Sequence, residues 1–228
     1  MISLFIYNFL IYTLLKLYKL LSNSNLYFLK DDRVDKTYRI VNFTKSICLG
    51  IASPYAFYLL YCIIHSIKYN IYILYFVSSL YAALDASALL YNQNMHISTI
   101  IHHTVVQIFY YYGTYIDWNI NSLSNLILIY AIFSTFAYLV NMRLAIRQSN
   151  ISNKTVSIIN DTSLFIYCIS CFLNWSLQLY YTYITNFIEP LYYVMTYLLF
   201  IGLIAFDDIK LIKYLYSKSI YLKKIIKY

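Results

Sequence analysis

This sequence has few charged residues and few chain-breaking residues. Only 11% of its 228 residues are charged, whereas about a quarter are charged in a typical soluble domain. It has only 3 glycines and 2 prolines, and no linker-like stretch divides it. With 61% hydrophobic residues and a mean hydropathy of +0.60, the chain is predicted to be a one-domain, all-α integral membrane protein.

Histidine and cysteine are also scarce, at four residues each. Four histidines are too few for the several His-rich clusters of a membrane di-iron desaturase or hydroxylase. Cys168-x2-Cys171 has zinc-like spacing, but no second ligand pair accompanies it, so we interpret the cysteines as buried packing thiols. The absence of a G-x-S-x-G motif argues against a serine hydrolase. We therefore expect neither a metal nor a cofactor.

Apolar windows close to the 20 or so residues that cross a bilayer recur seven times. They cover Ile2–Leu21, Thr44–Ser66, Ile71–Tyr91, Met95–Ile116, Leu123–Ala145, Ser157–Thr182 and Phe187–Phe206. The first lacks the basic start and small-residue cleavage site of a signal peptide, so it is predicted to be a retained anchor. The sequence thus predicts about seven transmembrane helices.

The distribution of positive charge predicts how these helices are oriented. With seven spans, one side receives most of the Lys and Arg residues: Lys30, Arg33, Lys36, Arg39, Arg143, Arg147, Lys154, Lys210, Lys213, Lys218, Lys223, Lys224 and Lys227. The other side receives Lys68, Asp117 and Glu189. The positive-inside rule then places the N-terminus in the lumen and the C-terminus in the cytosol.

Three parts follow from this topology. Residues 1–36 are predicted to form a membrane anchor and a cytosolic loop, 37–214 the helical bundle, and 215–228 a basic cytosolic tail. The mixed-charge stretch 30–39 is expected to be a solvated loop with at most a short interfacial helix. Two structures suit the Lys-rich tail, namely an amphipathic helix on an anionic leaflet or the frayed basic end of the last span.

Asp85, His102 and His103 are ionisable residues inside predicted spans. Such a group costs several kcal/mol at membrane depth unless it is paired or faces a polar cavity, so it indicates a functional site. Adjacent helical residues project about 100° apart, so one histidine can face a cavity while the other contacts a neighbouring helix. These three residues are the candidate catalytic or ligand-binding groups.

Polar residues at helical spacing give several of the spans one polar face. The candidate cavity residues on these faces are Ser78, Tyr81, Thr99, Gln107, Ser134, Tyr138, Asn141, Asn174 and Gln178. Because lipid cannot satisfy these groups, they should converge either as interhelical hydrogen bonds or as the lining of a chamber. An imidazole opposite a carboxylate could serve there as a general base or an acyl acceptor, so lipid acyl transfer is the chemistry that fits best.

Several of these residues fall in a pattern that resembles the TLC-domain family, which includes the ceramide synthases. The pattern comprises Tyr81-x3-Asp85, Tyr91, Ile100-Ile101-His102-His103, Phe133-Ser134-Thr135-Phe136 and Asn141-x-Arg143. It covers roughly residues 37–214. The resemblance implies a bundle of about six helices around a long lipid-receiving cavity, preceded by an extra N-terminal span, and a location in the endoplasmic reticulum.

Two departures from the synthases place the chain closer to the family's non-synthase branch. Where the resemblance implies a second acidic motif, H-D-x-x-D, the chain has Tyr130-Ala131-Ile132-Phe133-Ser134. Where a basic cluster should follow Asp85, it has Asn92-Gln93-Asn94. The first hypothesis is therefore a protein of lipid binding or membrane lipid homeostasis.

The second hypothesis is an acyl-CoA-dependent N-acyltransferase, with acyl-CoA as a substrate, and the third is a purely structural polar core. The expected partners are membrane lipids rather than nucleic acids, and a homodimer is left open.

Overall fold

The computed structural model describes residues 2–23, 33–65, 67–92, 94–115, 122–147, 151–185 and 187–226. The described residues form helices and no strands, which confirms the all-α prediction. In chain order the helices are α1 (Ile2–Asn23), α2 (Arg33–Ile64), α3 (Ile71–Tyr91), α4 (Ile97–Tyr115), α5 (Leu123–Thr135), α6 (Tyr138–Ala145), α7 (Asn153–Ile184) and α8 (Leu191–Ile226).

Among these described helices, α1, α2, α3 and α7 are long and apolar enough to cross a membrane. The α5 and α6 pair adds a fifth if it is counted as one broken span. This set establishes the architecture of an all-α membrane protein with four or five candidate spans, and the count of seven stays a prediction.

The fifth predicted window is bent by 43° between α5 and α6. Neither glycine nor proline lies at the break. Instead, the Ser134 and Thr135 hydroxyls donate to the carbonyls of Tyr130 and Ile132, at 2.9 and 2.7 Å. Such bonds back to the preceding turn bend helices, and the next backbone N–H, that of Phe136, reaches only three residues back.

Helix α7 shows how the bundle suits a bilayer. Phe165, Phe172 and Leu179, spaced seven apart, are each at least two-thirds exposed. The opposite face buries polar residues, among them Asn160 and Ser163. An apolar exterior around a polar interior suits a bilayer, because lipid tails offer no hydrogen-bond partners to polar side chains.

Small residues on α3 allow α1 to pack closely against it. Ser79 and Ser87 are fully buried there, and their hydroxyls lie 3.1 Å from those of Ser3 and Tyr18 of α1. Small side chains with interhelical hydrogen bonds are the usual means by which helices associate in membranes. Helix α1 is thereby part of the bundle rather than a separate anchor.

The expectation of a solvated loop over residues 30–39 is wrong from Arg33 onward, because α2 begins there. Arg39 is fully buried, and its Nε donates to the carbonyl of Ala145 at 3.0 Å. This bond ties α2 to the end of α6. Lys30, Asp31 and Asp32 lie outside the described residues.

The last helix does not end at Phe206 but continues unbroken to Ile226. Its distal half buries Leu215, Ser219 and Leu222. Leu215 packs in one cluster with Val140 of α6 and with Tyr167 and Cys171 of α7. The tail is therefore helical as far as Ile226, with one face packed against protein and with Tyr216, Ile220 and Tyr221 exposed, and its contact with an anionic leaflet stays a prediction.

Candidate functional site

A cavity of about 500 Å³ lies among helices α2 to α8. Asp85, His102 and His103 all line it. Of the nine predicted cavity residues, five line it as well, namely Tyr81, Thr99, Ser134, Asn141 and Asn174. The sequence-predicted groups therefore meet around one chamber.

Asp85 lies at the centre of a buried triad. It is 2% exposed, and its Oδ1 lies 2.5 Å from Nζ of Lys45, a residue of α2 that is 7% exposed. Its Oδ2 lies 3.0 Å from Nδ1 of His103, and the Lys45 ammonium lies 3.5 Å from Nε2 of the same ring. Helices α2, α3 and α4 each contribute one member, so the triad depends on how these three helices pack.

His102 contacts different helices from His103, as expected for its neighbour on a helix, although the two ring centroids are only 5.5 Å apart. Its Nδ1 lies 3.3 Å from Oδ2 of Asp207 on α8, and its Nε2 lies 3.1 Å from the hydroxyl of Tyr130. The Tyr130 hydroxyl is in turn 3.2 Å from that of Tyr81. A chain of polar contacts thus links α3, α5, α4 and α8.

Helix α8 contributes a second carboxylate, Asp208. This residue is 7% exposed, and its Oδ1 accepts a hydrogen bond of 2.7 Å from the Tyr167 hydroxyl. Together, Lys45, Asp85, His102, His103, Asp207 and Asp208 form what we call the charged cluster. Asp207 follows the histidines by more than 100 residues in the sequence, yet its carboxylate contacts His102 in the structure.

Sequence reasoning missed three members of the charged cluster. The last predicted span ends at Phe206, just before Asp207 and Asp208, whereas the helix continues past both of them. Lys45 stands one residue inside the second apolar window, where a lysine usually reaches outward to the interface. A signal was present in each case, because all three are charged residues at the edge of a hydrophobic run.

The four remaining predicted cavity residues lie outside the cavity lining. Gln107 donates to the Ala82 carbonyl and Gln178 to the Leu126 carbonyl, at 3.1 and 2.9 Å. Ser78 donates to a carbonyl within its own helix, and Tyr138 packs against the apolar cluster around α1 and α3. The two glutamines hold helices together, and none of the four reaches the chamber.

The other histidines and the cysteines are separate from the charged cluster. His65 is exposed at the end of α2. His96 lines the cavity, with its Nδ1 2.8 Å from the Ser98 hydroxyl before the first turn of α4. All four cysteines are free thiols, and Cys171 lies in the cavity wall.

Comparison of the chain with protein-family models, with curated proteins and with solved structures finds no significant match. The chemistry of the site therefore has to be argued from its own geometry. Two imidazoles, each against a carboxylate, can exchange protons or hold a polar group, and Lys45 adds a fixed positive charge.

Proposed function

We propose that the protein binds a membrane lipid in this cavity, with the polar head group at the charged cluster, and that it serves membrane lipid homeostasis. The observation that supports this most is the placement of six ionisable side chains around one chamber, to which the candidate membrane spans α2, α3 and α7 contribute. Ionisable groups at membrane depth are costly and usually mark a pathway or a ligand.

The cavity also has the size and the mixed lining of a ligand site. Its volume of about 500 Å³ falls in the range of small-molecule pockets. Apolar side chains such as Val41, Leu49 and Val140 line the same chamber as the charged cluster. A lipid offers this combination, because its head group is polar and its chains are not.

The same proposal includes the topology predicted from the sequence. Seven spans, with the α5 and α6 pair as one of them, would place the N-terminus in the lumen and the C-terminus in the cytosol. This arrangement puts the basic residues of the α6–α7 connection and of distal α8 on one side, in keeping with the positive-inside rule. The resemblance to TLC-domain proteins supports a location in the endoplasmic reticulum.

Native mass spectrometry of protein released gently from membranes tests the lipid proposal. Wild type is expected to carry a co-purifying lipid, and Asp85→Ala is expected to lower its occupancy about tenfold, which corresponds to roughly 1.4 kcal/mol of binding free energy. Asp161→Ala is the matched control, because Asp161 pairs with Lys223 outside the cavity lining. Wild type that carries no lipid, or equal occupancy in Asp85→Ala, would contradict the proposal.

Acyl transfer is the second candidate, and the contact between His102 and Asp207 favours it. In this reaction the nitrogen of a lipid amine would attack an acyl thioester, and His102 would accept the proton that this nitrogen loses. The new amide C–N bond would form, the C–S bond would break, and the proton would pass to the leaving thiolate. The Asp207 carboxylate, 3.3 Å from the ring, would stabilise its protonated form.

Membranes supplied with labelled long-chain acyl-CoA and a panel of sphingoid bases and lysolipids test this candidate. If it is correct, wild-type membranes transfer the label, and His102→Ala lowers the rate by about 10²–10⁴-fold, the usual worth of a general base. His65→Ala alters an exposed histidine outside the cavity lining, so it should leave the rate unchanged. Transfer that persists in His102→Ala would rule out this role for the histidine.

A further inference from the structure

Three buried atoms of the charged cluster have no hydrogen-bond partner among the described residues. They are Asp85 Oδ2, His102 Nδ1 and His103 Nδ1. Carboxylates lie near both ring nitrogens, at 3.0 and 3.3 Å, but neither nitrogen is aligned with them for a hydrogen bond. Unsatisfied buried polar atoms are rare because each costs about 1–3 kcal/mol, so three within one cluster call for an explanation.

The same three residues can offer ligand atoms to one metal ion. One atom from each of Asp85, His102 and His103 falls within a group whose members all lie within 4.8 Å of one another. The 3.0 Å between Asp85 Oδ2 and His103 Nδ1 is close to the separation of roughly 3.3 Å between two ligands at bond lengths near 2.0 Å in a tetrahedral zinc site. Two imidazoles and a carboxylate form a usual ligand set for zinc and related transition metals.

We propose that Asp85, His102 and His103 bind a divalent transition-metal ion of the zinc class. The Lys45 ammonium pairs with Oδ1 of Asp85. This contact holds the carboxylate so that its other oxygen, Oδ2, faces the ion. Three protein ligands leave one coordination position open to the cavity. That an oxygen of the lipid head group takes this position rests on the function proposed above, whereas the metal site itself does not.

The test uses the full chain in lipid nanodiscs, stripped with a chelator, reloaded with Zn²⁺ and passed over a gel-filtration column. About one zinc per chain is expected for wild type, and less than about a tenth of that for Asp85→Asn, His102→Gln and His103→Gln, because each removes one of three ligands. His65→Gln is the matched control and should retain zinc, since His65 lies apart from the cluster. Wild type without zinc, or equal zinc in the variants, would overturn the proposal.

X-ray absorption of the zinc-loaded wild type keeps the test decisive if the variants fail to fold. The site predicts scattering from two imidazoles, and a spectrum without imidazole scattering would overturn it. Native mass spectrometry of the same samples separates the two proposals. Lipid without metal would refute the metal site alone, whereas metal without lipid would refute the lipid function alone.

Discussion

Lys45→Met is expected to lower the free energy of unfolding by about 3–5 kcal/mol, the usual cost of breaking a buried ion pair. The change removes the ammonium that lies 2.5 Å from Asp85 Oδ1 and leaves a buried carboxylate without its strongest partner. Unfolding of the protein in bicelles by a denaturing detergent would measure the loss. The double variant Lys45→Met/Asp85→Asn should recover most of it, because no unpaired charge remains.

Lys68→Met provides the control for this prediction. Lys68 is exposed between α2 and α3, so its replacement should change stability by less than about 0.5 kcal/mol. If Lys45→Met is as stable as this control, the Lys45–Asp85 pair is not buried as described. Lys45→Met/Asp85→Asn that is no more stable than Lys45→Met would show that packing, rather than charge, accounts for the loss.

Asn141→Trp is expected to remove most of the bound lipid while leaving the protein folded. Asn141 lines the cavity and is half-buried, and its side-chain donor bonds only to the Ala137 carbonyl of the preceding turn. An indole at this position would occupy a large part of a 500 Å³ chamber. Lipid occupancy by native mass spectrometry should fall at least about tenfold, about 1.4 kcal/mol in binding free energy.

Thr104→Trp is the matched control for Asn141→Trp. Thr104 is exposed on α4 and lies outside the cavity lining, so a tryptophan there enlarges the lipid-facing surface without entering the chamber. Its lipid occupancy should equal that of wild type. Equal occupancy in Asn141→Trp and Thr104→Trp would mean that the lipid is bound on the outside of the bundle.

The helices could be predicted from the sequence because membrane depth imposes a simple requirement. Each predicted window contains a helix or, in the fifth, two, since only hydrogen-bonded helices satisfy the backbone in such apolar stretches. The break after Thr135 could not be predicted with the same ease. The hydroxyls of Thr13 and Thr104 make the same bond to the preceding turn and leave their helices unbroken, so hydroxyl spacing alone does not mark the break.

The candidate site was predicted in part for a related reason. Asp85 and the two histidines stand inside apolar windows, where an ionisable side chain is costly unless it is paired or faces a polar cavity. Lys45 and Asp207 stand at window edges, where hydropathy does not distinguish a side chain that turns inward from one that reaches the interface. The packing of α2 and α8 decides which way these two side chains point, and a local sequence pattern does not show how those helices pack.

The central claim is that a lipid occupies the chamber, and the most direct test is photo-crosslinking in native membranes. A phospholipid or sphingolipid with a diazirine in its acyl chain would be activated there, and the labelled peptides would be identified by mass spectrometry. The account predicts label on cavity-lining residues such as Asn174 and Tyr214, and loss of that label in Asn141→Trp. Label confined to outward-facing residues such as Phe165 and Phe172 would contradict it.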